Sequence, residues 1–340
     1  MPDHSHSLRL LEDFRNREGL PGVSIAVLRN GVPEVVAAVG TAGRAGSQPL
    51  TPDAVFPIYS VTKTLIAVAV LLLRREHAFE LEDPIQQHLP GLPFSEPLTL
   101  RQLLTHTSGL PDYGPTQAYK AALQKHPAQP WTAEAYLDVA TQQGLQPQGQ
   151  FSYSNIGYLL LKMLLKHLTG ETLKDLLHRL LFAPLKLQHT RVIETQADLL
   201  HLTPGFSKVW GQEWQDVRSM YHPGWVAHGL VASTASELAL LLDSLFTPGI
   251  LKPQEMGELM EGVVVADHHP IFTVPGYGLG LMLDALNHEF MGHGGGGPGY
   301  SIGALHCPDR YGDSITCVAM VNQDGGWGLD LAHQGILHLE

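Results

Sequence analysis

Residues Ser60 to Arg75 constrain the fold more than any other stretch of this chain. From Leu65 to Leu73 every side chain is apolar. A helix that is hydrophobic nearly all round must be wrapped by other elements, because a surface helix keeps a polar face. The run follows Lys63, stops at Arg74-Arg75, and falls well short of the roughly 18 apolar residues that a membrane span needs. It reads as a core helix, and the rest of the chain has to supply its coat.

The strand signals sit at the two ends. Val23 to Arg29 alternates, with Val23, Ile25 and Val27 on one face; Asn30-Gly31 marks a tight turn, and Val35 to Val39 is a second β-rich run. That is a hairpin pattern. Ahead of it, Ser7 to Arg17 carries Leu10, Leu11 and Phe14 at helical spacing, with Gly19 as a stop. The loop from Gly40 to Asp53 is rich in Gly, Ser, Thr and Pro. Its Gly40 to Gly46 part lacks the ending of a phosphate loop and the dinucleotide fingerprint, so no cofactor follows from it. Strand patterns return at Tyr277 to Leu283, Ser301 to Cys307 and Ile315 to Val321, and Gly335 to Leu339 lies in a final, partly helical segment. Between them, about 80 to 270 reads as helical. Thr99-x-x-Gln102 and Thr234-x-x-Glu237 look like capping boxes, and Asn155 opens an apolar helix that runs to Thr169-Gly170. The pattern predicts an α+β chain in two lobes: residues 1–80 and 270–340 forming a sheet lobe, and 81–269 a mostly helical one. A pocket is expected at the seam.

Composition removes several function classes. Of 340 residues, 44% are apolar and 16% charged, which supplies a large core. Against 33 Asp and Glu stand 21 Lys and Arg, a formal charge of −12 that argues against a nucleic-acid or anionic-membrane partner. The 19 histidines invite a metal, but their spacing does not. There is no His-Glu-x-x-His and no Cys-x-x-Cys. His4 and His6 lie in an N-terminal tail, the adjacent His268-His269 would point apart, and His333 and His338 miss the same-face spacing of a helix. Scattered surface histidines, with no metal site, are the better reading. Cys307 and Cys317 are too few for a disulfide framework. A hairpin turning over Pro308 to Asp313 would set Cys317 near Ala304, out of reach of Cys307. Free thiols fit a reducing compartment, and Met-Pro-Asp-His-Ser-His lacks the architecture of an export signal, so a cytoplasmic address is expected.

Three groups of residues carry chemistry. In Ser60-Val61-Thr62-Lys63, a Ser and a Lys three apart at a helix start share one face, so the ammonium reaches the hydroxyl. The helix N-terminus adds free N–H donors and partial positive charge. A buried Lys there lowers the energy of an alkoxide or, when neutral, accepts its proton. An ordinary N-cap serine would look the same in isolation. Tyr153-Ser154-Asn155 precedes a helix; a tyrosine beside a lysine can act as a phenolate base, and Asn155 can hold both the lysine and a substrate carbonyl. Alone, it also fits an N-cap Asn with a packed Tyr. Gly292-His293-Gly294-Gly295-Gly296-Gly297-Pro298-Gly299-Tyr300 lets backbone approach a ligand closely, with edge N–H groups aimed at an oxyanion; a plain glycine loop is the alternative. Gly299-Tyr300-Ser301-Ile302-Gly303 matches a nucleophile-elbow pattern, but that motif needs a helix after the serine and here a strand continues, so Ser301 reads as structural. The segment Trp210 to Trp225 holds three of the five tryptophans, plus Tyr221. It can wall an acyl pocket or pack on the helical lobe.

In this order and spacing the three groups resemble the serine β-lactamase and penicillin-binding-protein superfamily. The nearest likeness is to its class C-like branch, with the D-alanyl-D-alanine carboxypeptidases and the family VIII-type, β-lactamase-like esterases. Leu100 to Leu110 (Leu-Arg-Gln-Leu-Leu-Thr-His-Thr-Ser-Gly-Leu) and Gly229 to Leu240 also look like that branch, so the likeness spans nearly the whole chain. It implies a β-lactamase/transpeptidase-like fold, an antiparallel sheet flanked by helices plus a mostly helical lobe.

Residue by residue, the resemblance implies Ser60 as acylated nucleophile, Lys63 as its activating partner and Tyr153 as general base. Asn155 would position substrate, and His293-Gly294-Gly295 stands where the family has Lys-Thr-Gly or His-Thr-Gly. The backbone N–H groups of Ser60 and Gly296 would form the oxyanion hole. His293 in place of Lys, and Gly294 in place of Thr, weaken the grip on a substrate carboxylate. The expected activity is therefore a serine hydrolase on small esters or amides, needing no cofactor. An esterase stands ahead of a D-amino-acid peptidase, amidase or carboxypeptidase, and a weak β-lactamase comes last. A different class, a non-catalytic acyl-binding sensor or scaffold, is the rival. The oligomeric state is left open.

Overall fold

The structure, a computed structural model, describes residues 5–44 and 48–338. His4, residues 45–47 of the glycine-rich loop and Leu339 lie outside the described residues, as does the side chain of His6.

Alternating apolar residues build the first hairpin. Strands β1 (Gly22–Arg29) and β2 (Val32–Gly40) pair antiparallel across Asn30-Gly31, whose φ angles of 50° and 75° suit a tight hairpin turn. On its other side β1 meets a strand from the far end of the chain, β8 (Asp313–Val321), with Val23 opposite Val321. The sheet continues through β7 (Tyr300–Arg310), β6 (Met291–Gly297), β5 (Met282–Asp284), β4 (Pro275–Tyr277) and β3 (Val263–Val264). Every pairing in it is antiparallel. One strand was expected from Tyr277 to Leu283. The chain instead reverses there, Gly278 N–H bonding to the Leu281 carbonyl at 2.8 Å with Gly280 at φ 68°, so two short strands replace one.

The period of two splits each strand between two cores. Val23, Ile25 and Val27 face a cluster covered by α1 (Ser5–Glu18) and α5 (Trp327–His338), with Leu11, Leu331 and Ile336 among its buried residues. Ala26, Leu28, Ile302 and Met320 face the opposite way, into the larger core around α2 (Thr62–Leu73). All 12 residues of α2 are buried, as a helix without a polar face requires. Its coat includes α3 (Asn155–Thr169) and the turn between β4 and β5, where Thr64 Oγ1 donates to the Gly280 carbonyl at 2.6 Å.

The helical stretch also reaches into the sheet. Helix α4 (Ala235–Leu245) packs across β1, β7 and β8, and β3 joins the sheet itself, although both lie in the 81–269 segment expected as a helical lobe. Thr99 and Gln102 form a complete capping box. Thr234 accepts the Glu237 N–H at 3.2 Å, but the Glu237 carboxylate is drawn to the Gln188 and His189 N–H groups and the Thr190 hydroxyl, so that box is half made. The hairpin of β7 and β8 sets Cys317 opposite Leu305 and Cys307 opposite Ile315, one residue from the expected register: the chain turns between Arg310 and Asp313, later than expected, and a bulge after Cys307 offsets part of that shift. Both thiols are free and buried. Among the described residues, no helix is long and apolar enough to cross a membrane.

Candidate active site

Ser60 lies in a single 3-10 turn, Tyr59–Val61, that leads directly into α2. Tyr59 takes φ 44°, an uncommon conformation for a bulky residue and one that must be held from outside. Its hydroxyl donates to the Pro298 carbonyl at 2.7 Å, and the neighbouring Ile58 N–H bonds to the Val231 carbonyl at 2.8 Å. The turn is thereby fixed with the serine facing the free edge of β6. Lys63 follows in the first turn of α2, and its ammonium donates to Ser60 Oγ at 3.1 Å and to Asn155 Oδ1 at 2.7 Å. From the loop before α3, the Tyr153 hydroxyl donates to Ser60 Oγ at 3.0 Å. Residues 60, 63, 153 and 155, remote in sequence, therefore form one hydrogen-bonded group.

The electrostatics of that group follow from burial. Lys63 is fully buried, and loss of hydration lowers its pKa from the usual lysine value to about 7, with Asp112 pulling weakly the other way. Tyr153 moves oppositely: burial raises it above the ordinary phenol value, partly offset by its bond to Ser60. The group that gives up its proton more readily is thus the amine.

Asp112 is a functional neighbour that the sequence reading missed. Its carboxylate accepts the Asn155 N–H at 3.0 Å and the Asn155 side-chain amide at 3.0 and 3.2 Å. Asn155 therefore turns its oxygen to Lys63 and holds the lysine, while its side-chain amide is engaged by the Asp112 carboxylate. Asp112 stands in Leu110-Pro111-Asp112-Tyr113-Gly114, just beyond the family-like phrase. His106, inside that phrase, was passed over too. It is buried at φ 58°, accepts the Ser154 N–H at 3.1 Å, and packs its ring 4.3 Å from that of Tyr153.

The glycine-rich run is a strand, and its geometry explains which glycines are needed. Strand β5 pairs with β6 only at Met291 and Gly292, so the edge from His293 to Gly297 is left to the Ser60 turn. A Cβ on Gly295 would fall 2.2 Å from the Ile58 carbonyl oxygen, and one on Gly297 would fall 2.0 Å from the Tyr59 ring. A side chain on Gly296 would meet nothing within 4 Å, and one on Gly294 only Leu329 at 3.9 Å. His293, expected as a substrate-binding side chain, is enclosed in the structure. It is 3% exposed, its Nδ1 bonds the Gly294 carbonyl at 2.6 Å, and its Nε2 pairs with the Tyr277 hydroxyl at 2.9 Å. Burial and nearby Lys63 push its pKa down to about 3, so it offers neither charge nor free N–H.

Ser301 sits buried on β7 and accepts the Gly328 N–H at 3.0 Å, tying α5 to the sheet. The tryptophan segment packs on its neighbours and also reaches a cleft. Trp210 and Trp225 anchor to the Leu123 and Pro127 carbonyls, and Trp225 also lines a cleft of about 120 Å³ beside Ser60, with Tyr59, Tyr113, Asn155 and Gly296. Among the described residues, no three His, Cys, Asp or Glu side chains converge as metal ligands would.

The fold thus sets a Ser-x-x-Lys turn against a glycine-rich sheet edge. A family model described as Beta-lactamase matches residues 8–338, and the chain belongs to that family. Among solved structures, a D-stereospecific amidohydrolase from Streptomyces sp. is similar over 98% of both chains, with 28% identity and a TM-score of 0.82. The D-amino acid amidase from Ochrobactrum anthropi SV3 is similar over 99% of this chain and 97% of its own, with 25% identity and a TM-score of 0.80. Penicillin-binding protein 4* of Bacillus subtilis is 26% identical over 284 residues, covering 77% of this chain; the chain spans 60% of that relative's length.

Proposed function

We propose that the protein is a serine hydrolase acting through an acyl-enzyme on Ser60. The observation that carries this is the convergence of Lys63 Nζ and Tyr153 Oη on Ser60 Oγ, at 3.1 and 3.0 Å. With Lys63 near half-neutral at pH 7, its amine takes the Ser60 proton as Oγ attacks the substrate carbonyl. This moves the resting base from Tyr153, the residue first expected in that role, to the lysine. Tyr153, held as a phenol, passes a proton to the leaving amine or alkoxide and recovers it from the network. The Ser60 and Gly296 N–H groups face the oxyanion. Water then enters along the path of the leaving group, and its proton follows the same route.

The proposed substrate class is a small acyl ester or amide. Sequence reading ranked esters first. The likeness to an amidohydrolase and an amidase named for D-substrates brings D-amino-acid amides forward. Neutral His293 offers no countercharge for a carboxylate, which keeps β-lactams last. A panel of nitrophenyl esters, D-amino-acid amides and a chromogenic cephalosporin, with Ser60→Ala as control, tests the reading. Turnover that vanishes in Ser60→Ala, together with a fluorophosphonate adduct on Ser60 by intact mass, is the expected result. Labelling without turnover on any substrate would favour the acyl-binding sensor instead.

A further inference from the structure

Tyr153 stands in a short stretch without regular structure, Phe151 to Ser154, directly ahead of α3. A proton passes only at hydrogen-bond distance, so a catalytic phenol on such a stretch has to be fixed from outside. His106 grips the backbone on both sides of it. The His106 carbonyl accepts the Ser152 N–H at 2.8 Å, and its Nδ1 accepts the Ser154 N–H at 3.1 Å. The same ring lies 4.3 Å from the Tyr153 ring, centre to centre, and is backed by the rings of Tyr277 at 4.7 Å and Tyr158 at 5.2 Å. With φ at 58°, the carbonyl and the side chain of this one residue are both presented to the segment that carries Tyr153.

We infer that His106 is a positioning residue for proton delivery, holding Tyr153 where its hydroxyl meets the leaving group as the bond to Ser60 forms. The inference rests on the acyl-enzyme proposal and adds to it the residue that places its proton donor. In that step the scissile C–O or C–N bond breaks, its electron pair stays with the leaving oxygen or nitrogen, and that atom takes the Tyr153 proton. The phenolate is restored by the Lys63 ammonium, which carries the proton taken from Ser60. His106 itself is 1% exposed and does not line the cleft, so it touches no substrate and acts through Tyr153. Its ring is neutral, because burial and then Lys63 keep its proton affinity well below the usual histidine value; it works by placement and not by charge. Nδ1 accepts a bond, which puts the ring proton on Nε2. The start of α3 has anchors of its own. Ser154 Oγ donates to the Pro111 carbonyl at 3.0 Å, and the Asn155 N–H donates to Asp112 at 3.0 Å. Losing the His106 side chain therefore loosens Tyr153 without unseating the helix behind it.

The test compares p-nitrophenyl acetate with ethyl acetate, read as kcat/KM so that the acylation half is seen. The two share an acyl group and differ in how much the departing oxygen needs a proton: nitrophenolate leaves readily, ethoxide does not. His106→Phe keeps a ring and removes the acceptor, whereas His106→Asn keeps an acceptor and suits a positive φ. In His106→Phe, kcat/KM should fall about tenfold further for ethyl acetate than for p-nitrophenyl acetate, and His106→Asn should recover most of that difference. Added to Tyr153→Phe, His106→Phe should cost less than about twofold more on ethyl acetate. Equal falls on both esters in both variants overturn the assignment, and so does a full further loss on top of Tyr153→Phe. Fluorophosphonate labelling of Ser60 separates the two levels. A labelled wild-type protein whose preference between the esters survives His106→Phe, or that turns over neither ester, refutes only the role of His106. A wild-type protein that takes no label and hydrolyses neither ester refutes the acyl-enzyme proposal, and the role of His106 with it.

Discussion

Two serines, one at the start of α2 and one in the middle of β7, show how little a short motif decides by itself. Ser60 and Ser301 both sit in patterns associated with nucleophiles, and both accept hydrogen bonds from nearby groups. Around Ser60 the partners are side chains that can move protons, gathered at a cleft by a strained turn. Around Ser301 the partner is the N–H of Gly328, fixed in backbone and buried between sheet and helix. A serine becomes reactive here through the proton affinities of its neighbours, and those are set by tertiary burial.

The sharpest way to break this contrast is to exchange the two losses. Ser60→Ala should lower kcat/KM by about 10³-fold or more with the fold intact, whereas Ser301→Ala should leave turnover within about twofold. Activity lost in Ser301→Ala and kept in Ser60→Ala would reverse the assignment. Lys63→Met removes the base and should cost about 10²-fold to 10⁴-fold. In the wild-type protein, kcat/KM should rise with pH through about 7 as Lys63 sheds its proton, and that limb should disappear in Lys63→Met. The stability counterpart has a defined sign. The unfolded chain keeps Lys63 protonated up to its ordinary value, so its burial penalty is largest below pH 7 and declines between about 7 and 10.5.

Gly295→Ala, whose Cβ collides with the Ile58 carbonyl, should push the β6 edge off the Ser60 turn and cost about 10²-fold in turnover. Gly294→Ala, with Leu329 as its nearest neighbour at 3.9 Å, should fold and turn over like the wild type. Asp112→Asn frees the Asn155 amide to flip and should cost about tenfold, seen in kcat more than KM. The smallest effect belongs to Ser301→Ala in denaturant melts. Orphaning the buried Gly328 N–H should lower stability by about 1–3 kcal/mol.

What could be read beforehand had a local cause. The apolar run of α2, the Asn30-Gly31 hairpin and the Ser60-Lys63 spacing all follow from neighbours in the chain, and the structure places each as expected. Tyr153 and Asn155 were recognisable because they flank a helix start. Partners chosen by the tertiary fold were not legible. Asp112 takes the Asn155 amide across 43 residues, and His293 is neutral because the fold buries it near Lys63. The lost strand at Tyr277 to Leu283 failed for a different reason, since two glycines outweighed the apolar pattern.

The pairing of β1 with β8 carries a consequence for how the protein is made. Val23 finds Val321 only after the roughly 300 residues between them have left the ribosome, and β7 and β8 together bridge the first hairpin to the glycine edge beside Ser60. At about 5–20 residues per second, the helical middle emerges well before the strands that complete the main sheet. Until then the core around α2, the most apolar helix in the chain, lacks the residues that β7 and β8 bring to it. The nascent chain is thus most exposed to aggregation and proteolysis before β7 and β8 arrive, and activity should appear in one step when those strands close.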